Sequence, residues 1–334
     1  MEKAVLGLSD GVDSAVAAYI LRKQGYEVFG LYLDISGRDN LESAQRNAAQ
    51  LEIPLRIVDA HELIYERVCK PFIDEYLHGR TPNPCPDCNR NVKLPALITY
   101  ADEIGARYIA TGHYVRKSEG RLFRGSVDND QSYMLARLTT AQVNRLLLPL
   151  GDKNKARVRA LALKLGLDCA KRPDSRENCF AMGQHYDEWL ENSYKGLLPP
   201  KGEVYYNDTC IAAHAGIYHY TVGQHFCDDP EGRRLYVSHI DAKTNSIMLC
   251  QWDELFTAQV ELEGLTWLSG SAPGSCFDGE IRVRHTRRET PACHVEINEN
   301  GASVQTLTPL RAPVPGQPAA LYIGDELIGG GYVK

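Results

Sequence analysis

Several protein classes are excluded by what this 334-residue sequence lacks. No apolar run approaches the ~18 residues that cross a membrane, and the N-terminus has no long apolar stretch of the kind found in signal peptides. Positive charge is not in excess, since 37 Lys and Arg stand against 43 Asp and Glu, for a net charge of −6. That balance argues against a non-specific nucleic-acid coat protein and leaves room for a local basic face. Ten scattered cysteines are too sparse for a disulfide scaffold, so we expect a cytoplasmic protein with reduced thiols.

Strand-like and helix-like segments alternate in the first third of the chain. Residues 4–8, 27–33, 55–59 and 108–111 are short runs typical of strands, and segments of helix length separate them. The alternation predicts an α/β fold with a parallel sheet covered on both faces. Ligands of such sheets bind beyond the carboxyl ends of the strands.

The later part of the chain has a different pattern. Residues 139–198 have a helical pattern, and short β-like runs follow from about residue 202, residues 217–222 among them. We therefore predict three domains. Residues 1–200 form the α/β domain with a helical C-terminal part, residues 201–262 a small β-rich domain, and residues 263–334 a second β module.

A loop of small polar residues follows the first strand, with the sequence Gly7-Leu-Ser-Asp-Gly-Val-Asp-Ser14. Gly11 allows a tight turn, and Ser9 and Ser14 offer hydroxyls to phosphate oxygens. The N-terminus of the next helix would supply free N–H groups and a partial positive charge. The Gly-Lys-Ser/Thr ending of a Walker A motif is missing. The loop resembles the PP-loop, Ser-Gly-Gly-x-Asp-Ser, of ATP pyrophosphatases, although Asp10 stands where that family usually has Gly.

A second candidate segment, residues 81–90, is rich in proline and contains two cysteines. Prolines at 82, 84 and 86 predict a stiff, extended chain that is unsuited to a helix. Cys85 and Cys88 have CxxC spacing, which fits a redox pair, half of a zinc site, or two ligands of an iron–sulfur cluster. The sequence has no second CxxC to complete a four-thiolate site, which argues against structural zinc.

A third candidate is Cys179. An isolated cysteine before Phe is most often a small buried apolar residue. Pro173, Asp174 and Ser175 instead favour an exposed loop, which would leave the thiol available for reaction. The remaining cysteines show no ligand spacing and are expected to fill core positions; they are Cys69, Cys169, Cys210, Cys227, Cys250, Cys276 and Cys293.

Taken together, these segments resemble the tRNA-specific 2-thiouridylase family (MnmA, called TrmU in mitochondria), in order and spacing over nearly the whole chain. The matching segments are residues 7–14, 79–90, 110–114, 130–133, 147–151, 173–175, 179–180, 219–224, 315–317 and 329–331. The resemblance implies a PP-loop catalytic domain at the N-terminus and a β-barrel that contacts tRNA at the C-terminus. It also implies a monomer that binds tRNA, receives sulfur from a cysteine desulfurase or a sulfur-relay protein, and has no contact with a membrane.

The resemblance further implies a mechanism. The C2 oxygen of the wobble uridine would attack the α-phosphate of ATP, and a persulfide on Cys179 would then attack the activated carbon, with Cys88 resolving the product as a disulfide. The implied ATP-binding residues are Gly7, Leu8, Ser9, Asp10, Gly11, Val12, Asp13 and Ser14, with Leu33 and Gly112 near the adenosine. Asp13 is also the implied ligand of Mg²⁺. The competing mechanism has a 4Fe–4S cluster on Cys85, Cys88 and Cys179 that carries the sulfide.

The implied tRNA contacts come from several segments. They are Asn83, Pro84, Cys85, His113, Asn129, Asp130, Gln131, Arg282, Val283 and Gln317. Arg282, Arg284, His285, Arg287 and Arg288 form the densest basic cluster, which is either a tRNA contact or a solvated hairpin. Asn129 replaces a common Lys of the family. Two other functions fit the same motifs: a PP-loop enzyme that adenylates a small substrate, and a non-catalytic RNA-binding paralogue.

Overall fold

A parallel sheet forms the centre of the N-terminal part in the computed structural model, which describes residues 1–35, 38–126, 129–173, 178–194, 196–284 and 290–334. The strands of this part are β1 (Lys3–Gly7), β2 (Glu27–Asp34), β3 (Leu55–Asp59), β4 (Tyr108–Ala110), β5 (Val115–Ser118), β6 (Arg121–Arg124) and β7 (Leu146–Leu147). Five of them pair in parallel in the order β3-β2-β1-β4-β7. The predicted α/β fold with a parallel sheet is therefore confirmed.

Helices connect and cover these strands. They are α1 (Val12–Lys23), α2 (Arg38–Gln50), α3 (His61–Ile64), α4 (Lys70–Leu77), α5 (Cys85–Cys88), α6 (Leu94–Glu103), α7 (Thr140–Arg145), α8 (Lys155–Lys164) and α9 (Tyr186–Ser193). One π-helical turn, Tyr65–Cys69, joins α3 to α4, and a second, Asn89–Lys93, joins α5 to α6. No helix in the described ranges is both long and apolar enough to cross a membrane.

The two faces of β1 bury different residues because successive side chains of a strand point to opposite faces. Leu6 packs with α1, whose Ala15, Ala17 and Ala18 are fully buried and small enough for close approach of the helix to the sheet. Val5 packs with Leu94 and Leu97 of α6 on the opposite face. The strand order reverses between β1 and β4, so ligands are expected at the carboxyl ends of these two strands.

A second sheet follows the parallel one. It consists of β8 (Gly202–Tyr206), β9 (Thr209–His214), β10 (His225–Asp228), β11 (Arg234–Asp241) and β12 (Ser246–Cys250), in the order β10-β11-β12-β8-β9. The β-like run predicted at residues 217–222 is wrong, because a 3₁₀ turn, Ile217–His219, begins there. Its polar side chains bond to α9 instead of a neighbouring strand: His219 Nδ1 lies 2.9 Å from Asp187 Oδ2, and the Tyr218 hydroxyl donates to Glu191 at 3.0 Å.

The C-terminal part is a closed antiparallel barrel, as the predicted fold class required. Its strands are β13 (Phe256–Trp267), β14 (Cys276–Arg282), β15 (Ala292–Asn298), β16 (Gly301–Arg311), β17 (Pro318–Ile323) and β18 (Glu326–Val333). β13 pairs with both β16 and β18, and this double pairing closes the barrel. The hairpin of β5 and β6, which comes from the N-terminal part, adds to β18 from outside. The domain boundaries at residues 200 and 262 stay predictions.

A buried ion pair fixes the barrel to the N-terminal part. Arg282, at the end of β14, is 6% exposed, and its Nη1 donates to Asp130 Oδ2 at 2.9 Å. The other oxygen of Asp130 accepts hydrogen bonds from the backbone N–H groups of Gly125 and Ser132. Because both oxygens of Asp130 are satisfied, this loop and the barrel strand are held in one arrangement.

We expect Arg282→Met to destabilise the protein by about 3–5 kcal/mol, because it leaves the Asp130 carboxylate buried without its cation. The double variant Asp130→Ala/Arg282→Met should recover part of that loss. Urea unfolding provides the measurement. Arg121→Ala is the matched control, since its ion pair with Glu326 is 54% and 28% exposed and should contribute less than about 1 kcal/mol. Equal losses in Arg282→Met and Arg121→Ala would contradict a structural role for the buried pair.

Candidate nucleotide and thiol site

The loop between β1 and α1 is held by hydrogen bonds among its own serines. Ser14 Oγ accepts from the Ser9 backbone N–H at 3.0 Å and lies 2.9 Å from Ser9 Oγ, which in turn accepts from the Gly11 N–H at 3.1 Å. Gly11 is the N-cap of α1, and among the described residues no side chain caps this helix end. The first N–H groups of a twelve-residue helix are therefore free for an anion.

Two carboxylates of this loop are neutralised by cations from distant parts of the chain. Asp13 Oδ2 accepts from Lys155 Nζ at 2.6 Å, and its Oδ1 accepts from the Tyr114 hydroxyl at 2.5 Å. Asp10 Oδ2 accepts from Arg172 Nη1 at 2.7 Å. The departure from the PP-loop pattern at Asp10 therefore does not leave an unpaired negative charge beside the helix terminus.

The chain following β4 packs directly against this loop. A Cβ atom at Gly112 would lie 3.0 Å from the Asp13 carbonyl carbon and 3.0 Å from the Ser14 nitrogen, so a larger residue would displace α1. The segment that begins at Thr111 thus forms the opposite wall of the site, and its glycine is required by close approach.

These elements enclose one large cavity of about 1230 Å³. All ten residues predicted to bind ATP line it: Gly7, Leu8, Ser9, Asp10, Gly11, Val12, Asp13, Ser14, Leu33 and Gly112. Cys179 lines the same cavity, as do Lys93, Lys155 and Arg172. The nucleotide loop and the exposed thiol therefore share one space.

The CxxC segment is helical, and the prediction of an extended chain is wrong here. Cys85–Cys88 forms α5, with Pro84 at the N-cap and Pro86 in the first turn. Proline is tolerated there because the first N–H groups of a helix have no intrahelical acceptor. The π-helical turn that follows is stabilised by Asn89, whose Nδ2 donates to the Met134 carbonyl at 3.1 Å.

The thiols of this region differ in exposure. Cys88 is 4% exposed, whereas Cys179 is exposed and begins a 3₁₀ turn, Cys179–Ala181. Burial, together with negative charge on Cys179, raises the pKa of Cys88 to about 11 against the attraction of Lys93. Burial likewise raises the pKa of Cys69 to about 12, with contributions from Cys179 and Cys88. The fold thus brings together thiols from residues 69, 88 and 179.

Lys93 is a cation that sequence reasoning missed. Burial alone would lower the pKa of Lys93, but negative charge on Cys88, Cys179 and Cys85 raises it above its ordinary value. In the described parts of the chain, no carboxylate lies within ion-pair distance of the Lys93 ammonium. The negative groups that interact with the Lys93 ammonium are therefore the three thiols in their ionised form. Lys93 lies five residues after Cys88 in the sequence. That spacing indicates a contact between the two side chains only when the residues between them form a π-helical turn, as they do here.

Lys155 and Arg172 were missed as partners of the loop. No pattern in the sequence connects Lys155 to Asp13, 142 residues away, or Arg172 to Asp10, 162 residues away. Cys210 and Cys276 are exposed, so the expectation that they fill the core is wrong.

The described side chains bear differently on the two metal sites that the family resemblance implies. Each oxygen of Asp13 accepts one hydrogen bond, from Lys155 or from Tyr114, so Mg²⁺ would share this carboxylate with those donors, and its binding there stays a prediction. In the residues that the structure describes, no three His, Cys, Asp or Glu side chains lie close enough together to hold a metal ion. Cys85, Cys88 and Cys179 as arranged do not form the ligand set of a cluster.

The residues predicted to contact tRNA occupy several places. His113, Asn129, Asp130, Gln131 and Arg282 line the large cavity, and Asn83 and Pro84 line a second cavity of about 400 Å³. Cys85 lies in α5, Val283 is buried, and Gln317 Nε2 donates to the Thr81 carbonyl at 2.7 Å. Arg284 Nη2 donates to the Ala312 carbonyl at 2.6 Å. His285, Arg287 and Arg288 lie outside the described residues. These tRNA contacts stay predictions.

Models of known protein families match most of the chain in three consecutive pieces. Residues 2–183 match the tRNA methyl transferase HUP domain, residues 195–251 the tRNA methyl transferase PRC-barrel domain, and residues 257–333 the aminomethyltransferase beta-barrel domain. The first match fits a chain whose parallel sheet carries a nucleotide-type loop. The fold and site thus define an α/β protein of the PP-loop class with two appended β modules.

Curated relatives of full length extend this result. The tRNA-specific 2-thiouridylase MnmA 1 of Caldanaerobacter subterraneus subsp. tengcongensis is 36% identical, over 99% of this chain and 98% of the relative. The tRNA-specific 2-thiouridylase MnmA of Acidithiobacillus ferrooxidans is 36% identical, over 100% of this chain and 98% of the relative. The tRNA-specific 2-thiouridylase MnmA of Clostridium acetobutylicum is 32% identical, over 100% of this chain and 99% of the relative. This chain belongs to the MnmA/TrmU family.

The imidazole of His113 should make the stability of the protein sensitive to acid. Its Nδ1 lies 2.8 Å from Thr111 Oγ1, and burial, together with the charge of Lys93, lowers its pKa to about 3. The unfolded chain has an ordinary His pKa of about 6.5. The unfolded state therefore takes up a proton first as the pH falls, and stability that is present above about pH 6.5 is lost toward pH 3.

We expect His113→Gln to reduce the loss of stability between pH 7 and pH 5. Urea midpoints at these two pH values provide the measurement, and His239→Gln, at an exposed position, is the control. If the two variants lose stability equally with acid, His113 is not held neutral by the fold.

Proposed function

We propose that this protein catalyses the ATP-dependent 2-thiolation of the wobble uridine of tRNA. The observation that carries the proposal is the single cavity in which the nucleotide loop and Cys179 both take part. A PP-loop alone would suit many adenylating enzymes. The exposed thiol of Cys179 lines the same cavity as Lys93, and the buried Cys88 thiol is close enough to both to feel their charge. This set of groups suits sulfur transfer to an activated carbon.

The first half-reaction activates the uridine. The C2 oxygen attacks the α-phosphorus of ATP, the bond to the β-phosphate oxygen breaks, and pyrophosphate leaves. Oxygen at C2 is a poor leaving group, whereas AMP is a good one. The free N–H groups at the start of α1 bind phosphate oxygens, and Lys155, held 2.6 Å from Asp13, offsets the negative charge of that carboxylate at this end of the cavity.

The second half-reaction moves the sulfur. The terminal sulfur of a Cys179 persulfide attacks C2, and AMP leaves with the electron pair of the C2–O bond. The Cys88 thiolate then attacks Cys179 Sγ, which forms the Cys88–Cys179 disulfide and releases the electron pair of the broken S–S bond to the sulfur on C2. A thiol reductant restores the two thiols before the next turnover. The exposure of Cys179 supports its role as the acceptor of sulfur from a cysteine desulfurase or relay protein.

Lys93 has a defined place in this scheme. The attacking group must be a thiolate, yet burial raises the pKa of Cys88 to about 11. A nearby ammonium stabilises the ionised form and also offsets repulsion between the two sulfur anions. We propose that Lys93 supplies this charge.

We expect Cys179→Ser to abolish 2-thiouridine formation, because it removes the sulfur carrier. Cys88→Ser should stop the reaction at a stage where the sulfur bridges Cys179 and the base. The measurement is mass spectrometry of nucleosides from tRNA incubated with the protein, ATP, Mg²⁺, a cysteine desulfurase and cysteine. Cys276→Ser, at an exposed cysteine of the barrel, is the matched control and should remain active.

Two results would count against the persulfide scheme. One is retained thiolation by Cys179→Ser when inorganic sulfide is absent. The other is activity that follows the iron content of anaerobically purified protein, which would require the three-cysteine cluster. Thiolation by iron-free protein is the expected result.

We expect Lys93→Met to slow thiolation about tenfold at neutral pH, because it removes the attraction between the ammonium and the Cys88 thiolate and so lowers the ionised fraction of Cys88. Lys93→Arg keeps the charge and should retain most of the rate. The measurement is the rate of 2-thiouridine formation between pH 7 and pH 9.5, in which the rate of the Met variant should recover as the pH rises. Equal pH profiles for the wild type and the Met variant would remove Lys93 from the mechanism.

A further inference from the structure

Arg172 reaches the nucleotide loop from a segment far away in the sequence. Its Nη1 donates to Asp10 Oδ2 at 2.7 Å, across 162 residues of chain. The Arg172 and Asp10 side chains are 37% and 32% exposed, and both residues line the large cavity. The pair is therefore open to whatever fills that cavity and is not part of the closed core.

The backbone of Arg172 is held in place while its side chain projects. The Arg172 N–H donates to the Cys169 carbonyl at 3.1 Å, and the Arg172 carbonyl accepts from Arg159 Nη1 at 2.8 Å. Cys169 and Ala170, just before it, are buried in the same cluster as α1. The guanidinium is thus presented to the loop from a fixed base, which reduces the entropy lost when it binds a ligand.

Most N–H donors of the Arg172 guanidinium are not used by the described residues. Within the described residues its one hydrogen bond is the bond to Asp10, and a guanidinium carries five N–H donors. Its planar fork matches two oxygens of a phosphate group. The free N–H groups of α1 begin next to Asp10, so the guanidinium and the helix terminus flank the same space.

The chemistry of that space decides which group the guanidinium meets. The loop binds the part of ATP that carries most charge, and the β- and γ-phosphates gain further negative charge when they leave as pyrophosphate. A cation that contacts them stabilises the leaving group more than the bound substrate, and this difference accelerates the step.

We propose that Arg172 binds the β- and γ-phosphates of ATP, and that Asp10 is a positioning residue that holds the guanidinium toward them. This inference rests on the proposed binding of ATP at the loop. It also accounts for the acidic residue at position 10, where other PP-loops usually have Gly: one N–H group of Arg172 is used to orient the others.

The test is a binding cycle with three ligands. We expect Arg172→Ala to weaken binding of ATP and of inorganic pyrophosphate about tenfold, as for the loss of one charge-assisted contact, and to change binding of AMP less than twofold. Isothermal titration calorimetry measures all three. Arg107→Ala, whose side chain is 75% exposed and pairs with Glu2, is the control and should bind like the wild type.

The double variant Asp10→Gly/Arg172→Ala separates this proposal from simple neutralisation. If Arg172 binds phosphate, the double variant stays weak for ATP and pyrophosphate. If Arg172 only cancels the charge of Asp10, removing Asp10 as well restores the affinity, and the proposal is overturned. An equal loss of AMP binding would also overturn it. Arg172→Lys keeps the positive charge but loses the planar guanidinium, so its ATP affinity should lie between those of the wild type and the alanine variant. This lysine variant replaces Arg172→Ala in the test if the alanine variant does not fold.

The failure of this inference differs from failure of the proposed function. A wild type that binds ATP, with Arg172→Ala binding equally well, would remove only the role of Arg172. A wild type that binds neither ATP nor pyrophosphate would remove the proposed function together with the inference.

Discussion

The balance of charge at the start of α1 is the constraint on which the rest of the site depends. A helix N-terminus attracts anions, but this loop also carries Asp10 and Asp13, which would repel them. Lys155 and Arg172 neutralise these carboxylates at 2.6 and 2.7 Å. Both cations come from the segment after the parallel sheet, and this segment packs on α1 through a shared apolar cluster. The packing of that segment is therefore a condition for an anion site at this loop.

The two thiols of the proposed sulfur transfer, Cys179 and Cys88, differ in how far they are buried. Cys179 is exposed on the cavity wall, whereas Cys88 is 4% exposed beneath the surface. Burial protects the Cys88 thiol from alkylation and oxidation, but it also favours the protonated form. Lys93 opposes that effect, and burial together with Lys93 keeps His113 neutral beside it. One cation thus acts on both a thiol and an imidazole in this wall.

Local patterns in the sequence predicted the parallel sheet well, because strands such as β1 and β2 are short, mostly apolar runs separated by segments of helix length. Prediction was wrong where side chains far apart in sequence decide the local structure. Residues 217–222 alternate like a strand, yet Tyr218 and His219 bond to α9 and hold a 3₁₀ turn. Three prolines suggested an extended CxxC segment, but proline fits the first turn of α5. The candidate thiols and loop were recognisable, while Lys93, Lys155 and Arg172 acquire their partners only through the fold.

The most direct test of two half-reactions in one cavity is the stoichiometry of a single turnover. Protein carrying a persulfide is mixed with ATP, Mg²⁺ and excess tRNA without a reductant, and 2-thiouridine, AMP, pyrophosphate and the Cys88–Cys179 disulfide are quantified by mass spectrometry. The scheme predicts equal amounts of all four. Formation of 2-thiouridine while Cys88 and Cys179 remain as free thiols would contradict it.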